Sequence, residues 1–134
     1  MNQRCLVVLA SLGFLSCDQP TGTGSEFAGS YSLKMQFTEN TCDPDPTFPS
    51  AIFVLHERGH AEITMRQDPY GHLVGTVGSD GMFQVSGQGG SFRHSWWIEG
   101  QFGRRSFTAN VRGSYFQSGV VSCSYRMTWT GARR

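Results

Sequence analysis

At 134 residues the chain holds one modest domain, and setting aside an N-terminal targeting segment leaves roughly 105 to 115 residues for its core. The formal charge is +1, and without Arg4, which falls in that segment, ten basic residues face ten acidic ones. A chain with no surplus charge gives no electrostatic reason to expect nucleic acid or an anionic membrane surface as partner, since both need a basic patch.

Residues 1–16 have a short polar start with Arg4, then an apolar run from Cys5 to Leu15, then Ser16. That pattern predicts a secretory signal peptide, because the run is too short for a comfortable transmembrane helix. Cys17 follows at once, and Leu15-Ser16-Cys17 resembles the lipobox of bacterial lipoprotein precursors, with Phe14 where a leucine is usual. The resemblance implies cleavage before Cys17 and lipidation of its sulfur, with palmitate-type chains as membrane anchor. Each buried methylene adds about 0.8 kcal/mol, so several chains hold where one would not. The expected location is the bacterial cell envelope, facing the periplasm or cell surface; an unlipidated Cys17 would make the product secreted. Residues 17–26 include Gln19, Pro20, Thr21, Gly22, Thr23, Gly24 and Ser25, which have nothing to bury and predict a flexible tether.

The domain, residues 27–134, then reads as strands. Seventeen glycines, five prolines and an aromatic share of 13% suit a sheet with tight turns. Over 29–38, Tyr31, Leu33, Met35 and Phe37 alternate with Ser32, Lys34, Gln36 and Thr38, and period two means one buried and one wet face. In 39–50, Pro44, Pro46 and Pro49 prevent helix and central strand alike. Residues 51–57 and 60–66 read as a hairpin about Arg58-Gly59, 68–71 as a turn, 72–77 as a strand and 78–81 as a turn. Residues 82–86 form a strand and 87–90 a turn, and 92–102 form a longer strand with Trp96, Ile98 and Phe102 on one face. Arg104-Arg105 turns into the last hairpin, the clearest of all. Phe107, Ala109, Val111, Gly113 and Tyr115 share a face in its first strand, Cys123, Tyr125, Met127 and Trp129 in its second, and Gln117-Ser118-Gly119 makes the turn. The expectation is an all-β, antiparallel up-and-down meander of about eight strands, closed into a small β-barrel because closure removes exposed edges.

The cysteines test that topology. Cys42 lies past the end of the first strand and Cys123 near the start of the last, at one rim of an eight-stranded meander, and only closure makes those strands neighbours. A Cys42–Cys123 disulfide, expected in an exported protein, would staple the barrel shut with about 4 to 5 kcal/mol of chain-entropy stabilisation. Gly29-Ser30-Tyr31, the meander and the closing Met127-Thr128-Trp129-Thr130-Gly131 resemble the small calycin barrels, the avidin and lipocalin group, with Tyr31 in place of their tryptophan. The resemblance implies the barrel fold alone, since no ligand-contacting residue of those families matches one by one.

His56-Glu57-Arg58-Gly59-His60 fits H-E-x-x-H, a zinc-peptidase signature. That chemistry needs a helix to bring both imidazoles to one face, with the glutamate beside the metal-bound water. Here β-forming residues flank the motif and Gly59 interrupts it; a two-residue turn would pair His56 with Ala61 and split the histidines between faces. The match reads as chance, and Glu99 as a third ligand has no helical support. His72 and His94 have no ligand partners at metal spacing and read as surface or rim residues. The segment Gly87 to Ser91 lacks both the nucleophile-elbow motif and the lysine of a phosphate loop. Tyr31, Trp96, Tyr115, Tyr125 and Trp129 share one face and are the candidate ligand-binding residues, for a small apolar or aromatic ligand in the barrel mouth. Large side chains at so many inward positions nevertheless favour a filled interior. Trp97, of opposite parity to Trp96, is an expected outward contact for a partner or membrane surface. The functional expectation is a non-catalytic binding or interaction domain on a lipid anchor, without cofactor. Its alternatives are a structural lipoprotein with a filled barrel and a minimal zinc peptidase on His56, Glu57 and His60.

Overall fold

Period-two alternation resolves into eight strands: β1 (Gly29–Asn40), β2 (Ala51–His56), β3 (Glu62–Gln67), β4 (Gly71–Val77), β5 (Met82–Gly89), β6 (His94–Phe102), β7 (Ser106–Gln117) and β8 (Val120–Arg133). The structure, a computed structural model, describes residues 27–57, 60–67, 71–89 and 93–134. The expected signal peptide, Cys17 and the tether lie outside them, as do Arg58-Gly59, most of the 68–71 turn, and residues 90–92. Each strand pairs antiparallel with its sequence neighbour, and β1 pairs with β8 from Tyr31↔Arg133 to Asn40↔Tyr125, which closes the barrel. At the near end β1 begins and β8 finishes; the 41–50 loop and the β7–β8 turn lie at the far end.

There Cys42 and Cys123 form the expected disulfide, with Cα atoms 5.0 Å apart. Thr41 reinforces the same seam: its N–H donates to the Ser124 carbonyl at 2.9 Å, and its Oγ1 accepts from the Ser124 N–H at 2.9 Å.

Several strand ends differ from the sequence expectation. β1 runs on to Asn40 through a bulge between Phe37 and Glu39. β8 starts at Val120 because Ser118 and Gly119, with φ of 52° and 77°, make a two-residue turn whose left-handed backbone suits the strand twist. The expected turn at 87–90 is replaced up to Gly89 by strand β5. Glycine there supplies space rather than a turn: Gly87 pairs with Trp96, Trp96 with Gly113, and Gly113 with Tyr125.

This alternation of large and very small residues fills the interior. A second inward row runs Phe83, Gly100, Ala109, Trp129, and a third Phe102, Phe107, Gly131, Leu33. A Cβ on Gly113 would fall 2.1 Å from the Tyr125 hydroxyl oxygen, and one on Gly131 2.1 Å from Phe107 Cε1. Each ring therefore occupies the volume its cross-strand neighbour gives up, as small barrels require.

Candidate functional site

The five aromatic residues proposed from sequence as a ligand set all face inward, but they do not form one site. Tyr31, fully buried, belongs to the near end, with ring contacts to Phe102 and Phe107; its hydroxyl donates to the Phe27 carbonyl at 2.9 Å. Trp96, Tyr125 and Trp129, all buried, and half-buried Tyr115 gather at the far end. Phe48 projects from the proline-bearing loop into that group, its ring 5.3 Å from Tyr125, 5.5 Å from Trp96 and 6.3 Å from Trp129 between centroids. The mouth that a ligand would enter thus holds a side chain of the protein itself.

His94 corrects the surface-or-rim expectation: it is 6% exposed and lies inside the far end. Its ring stacks on Tyr115 with centroids 4.1 Å apart and planes 8° from parallel. The Trp96 indole N–H donates to His94 Nδ1, and His94 Nε2 lies 2.7 Å from the Tyr125 hydroxyl oxygen. An indole nitrogen only donates, so Nδ1 is the unprotonated nitrogen and the Nε2–H donates to Tyr125. Burial lowers the imidazole pKa to about 4 and raises that of Tyr125, with Tyr115 adding a smaller push in the same direction. At neutral pH the group is an uncharged, hydrogen-bonded lock, with no ring nitrogen left to take a proton from a substrate. The sequence carried a signal for it: His94 shares parity with Trp96 and Ile98.

Of the H-E-x-x-H match, His56 ends β2 and Glu57 and His60 lie between β2 and β3, none of the three on a helix. His56 pairs with Ile63, two positions beyond the expected Ala61, so its side chain shares the inward face with Ile63. Its ring stacks on Phe27, and its Nε2 lies 2.7 Å from the His60 carbonyl oxygen. His60 Nε2 is 3.8 Å from a Glu57 carboxylate oxygen on the exposed turn. Among the described residues no three His, Cys, Asp or Glu side chains are grouped to hold a metal ion. His72 and Glu99 are exposed on the wall.

Outside the barrel, Trp97 pairs across the sheet with Ser86 on β5 and Arg112 on β7. The Arg112 guanidinium carbon lies 5.7 Å from the indole centroid, within cation–π range. The short side chains Ser86, Ser95 and Ser114, with Gln88, leave a shallow groove of about 620 Å³ beside the indole. Trp97 is half-buried, and its Nε1 is shielded without a hydrogen-bond partner in the protein. An amphipathic ring, a guanidinium and several hydroxyls on one rigid wall can stack against a planar or apolar group while hydrogen-bonding its edges.

Comparison with protein families, with curated proteins and with solved structures finds no match, so any function must be argued from this geometry.

Proposed function

We infer that the chain is a cell-envelope lipoprotein anchored through Cys17, whose β-barrel is a non-catalytic binding or interaction module working through its outer wall at Trp97 and Arg112. The observation that carries this reading is the groove at Trp97 and Arg112, open on the wall of a barrel whose interior is filled. His94, Trp96, Tyr125 and Trp129 are buried against one another under Phe48, while the Trp97 groove is open on the wall. The Cys42–Cys123 disulfide fits an exported protein, and the Leu15-Ser16-Cys17 pattern supplies the anchor.

Two measurements test it. Labelled palmitate fed to bacteria expressing the full chain is expected to enter the protein and to be lost in Cys17→Ser; equal labelling of both would end the lipoprotein reading. A photo-crosslinking residue at Ser95 is expected to give a discrete adduct in living cells that Trp97→Ala removes, whereas the same probe at Thr108 gives none. The filled core equally favours a structural envelope lipoprotein, and absence of an adduct at Ser95 would select that second reading.

A further inference from the structure

Net charge near zero conceals an uneven distribution. Four arginines that are remote in sequence meet at the near end: Arg104 and Arg105 in the β6–β7 turn, Arg133 at the end of β8, and Arg134 beyond it. The register Ser106↔Ala132 and Tyr31↔Arg133 brings them to one arc of the rim. They collar the start of β1. The Arg133 N–H donates to the Arg105 carbonyl at 2.9 Å and the Arg134 N–H to the Ser30 carbonyl at 3.0 Å. Arg133 Nη2 donates to the Tyr31 hydroxyl at 2.9 Å, and Arg134 Nε to Ser32 Oγ at 2.6 Å. Arg104, Arg105 and Arg134 are exposed, and among the described residues none of the four has a carboxylate partner.

Among the described residues the acidic ones of that end, Glu57, Glu62 and Asp80, lie on the other arc, in or beside the β2–β3 and β4–β5 turns. Glu57 faces His60, and an Asp80 carboxylate oxygen accepts from the Met82 N–H at 3.0 Å. At the far end, among the described residues, exposed Glu39, Asp43 and Asp45 are interspersed with exposed Arg93 and Arg126, and Glu39 lies 3.6 Å from the Arg126 guanidinium. What sets the near end apart is thus a local arc of arginines without carboxylate partners, beside Phe27 where the described chain begins.

We propose that this arc is a membrane-facing surface that binds anionic phospholipid headgroups. Together with the anchor it orients the barrel near end down, with the disulfide-bearing end pointing away from the bilayer. The orientation rests on the lipid-anchor reading; the headgroup contact does not. The ten-residue step from Cys17 to Phe27 spans at most roughly 35 Å fully extended, so the near end stays close to the bilayer whatever path that segment takes. A tether alone leaves the barrel free to tumble. Unpaired arginines within a Debye length of an anionic surface do not, at about 1 kcal/mol each.

The test uses residues 18–134 without acyl chains; all eight strands and the core lie within 27–134. Flotation with phosphatidylcholine vesicles is compared with flotation with equimolar phosphatidylcholine and phosphatidylglycerol. Preference for the anionic vesicles is expected. Arg104→Gln with Arg105→Gln should lower partitioning by about 30-fold, the product of about fivefold per arginine. Arg93→Gln with Arg126→Gln, an equal charge change at the far end, should change it by less than about threefold, below the effect of one surface-facing arginine. Equal losses in the two double variants, or no preference for phosphatidylglycerol, would overturn the proposal. Because this protein carries no lipid, failure here is separate from failure of palmitate labelling.

Discussion

Acidification should weaken the fold through His94. In the unfolded chain its imidazole titrates near 6.5, and inside the barrel burial lowers that to about 4. The unfolded state therefore takes up the proton first, so stability falls as pH drops through 6.5 and the loss levels off below 4. One pKa unit corresponds to about 1.4 kcal/mol, so the loss is about 1.4 kcal/mol by pH 5.5 and about 3 kcal/mol by pH 4. Protonating the folded state is costly for a geometric reason as well: a cationic imidazole has a hydrogen on Nδ1, where the Trp96 N–H already points. The assay is urea denaturation under oxidising conditions between pH 7.5 and 4, on the wild type and on His94→Gln. The difference between the two cancels the carboxylates common to both. Wild type should lose its advantage over the variant by about 3 kcal/mol across this range. A difference that stays constant with pH, or a His94 ring signal titrating near 6.5 by NMR in the folded protein, would refute the reasoning.

Replacing Cys42 and Cys123 together with serine should cost about 4 to 5 kcal/mol, since the bridge closes a loop with a sequence separation of 81 residues. Denaturant midpoints of the oxidised protein and the double variant measure it, and a change below about 1 kcal/mol would mean the β1–β8 seam holds without the bridge. Gly113→Ala should destabilise by about 3 kcal/mol or more by driving a methyl into the Tyr125 ring, whereas Gly119→Ala, with open space around it, should cost about 1 kcal/mol through its φ of 77° alone. Thermal melts of the two variants rank them, and equal melting temperatures would contradict the packing account.

The strands were legible because each buries one face, so the inward set Tyr31, Leu33, Trp96, Ile98, Tyr125, Met127 and Trp129 could be named from parity alone. Gly87 to Gly89 were not, because glycine signals a turn by local propensity, while here it makes room for Trp96, a requirement set by the strand opposite. Phe48 lies among prolines with no period to read, and its insertion over Trp96 and Tyr125 exists only once the barrel has closed. His94 follows the parity rule, but the lack of a metal-ligand partner in sequence says nothing of burial, which Trp96 and Tyr125 supply through their hydrogen bonds to its ring. The arginine arc was invisible for a different reason. Net charge sums over the whole surface, whereas the arc depends on the pairing of β1, β7 and β8 across about a hundred residues of sequence.

The packing that makes the barrel stable also decides where it can act. To admit a ligand between the buried rings, Phe48 must leave and Trp96, Tyr125 or Trp129 must part, each withdrawing about 1.5 to 3 kcal/mol of apolar burial. Separating Trp96 from His94 would also strand a buried indole donor and a buried imidazole acceptor, at about 1 to 3 kcal/mol for each group left unpaired. A ligand of ordinary affinity would spend most of its interaction energy opening the mouth. On the wall at Trp97 nothing has to move: Ser86, Ser95 and Ser114 are short, Arg112 is already placed against the indole, and the strands beneath are held by the closed ladder. A filled barrel of this kind is a rigid platform, and under the binding-module proposal its specificity would belong to the surface it presents.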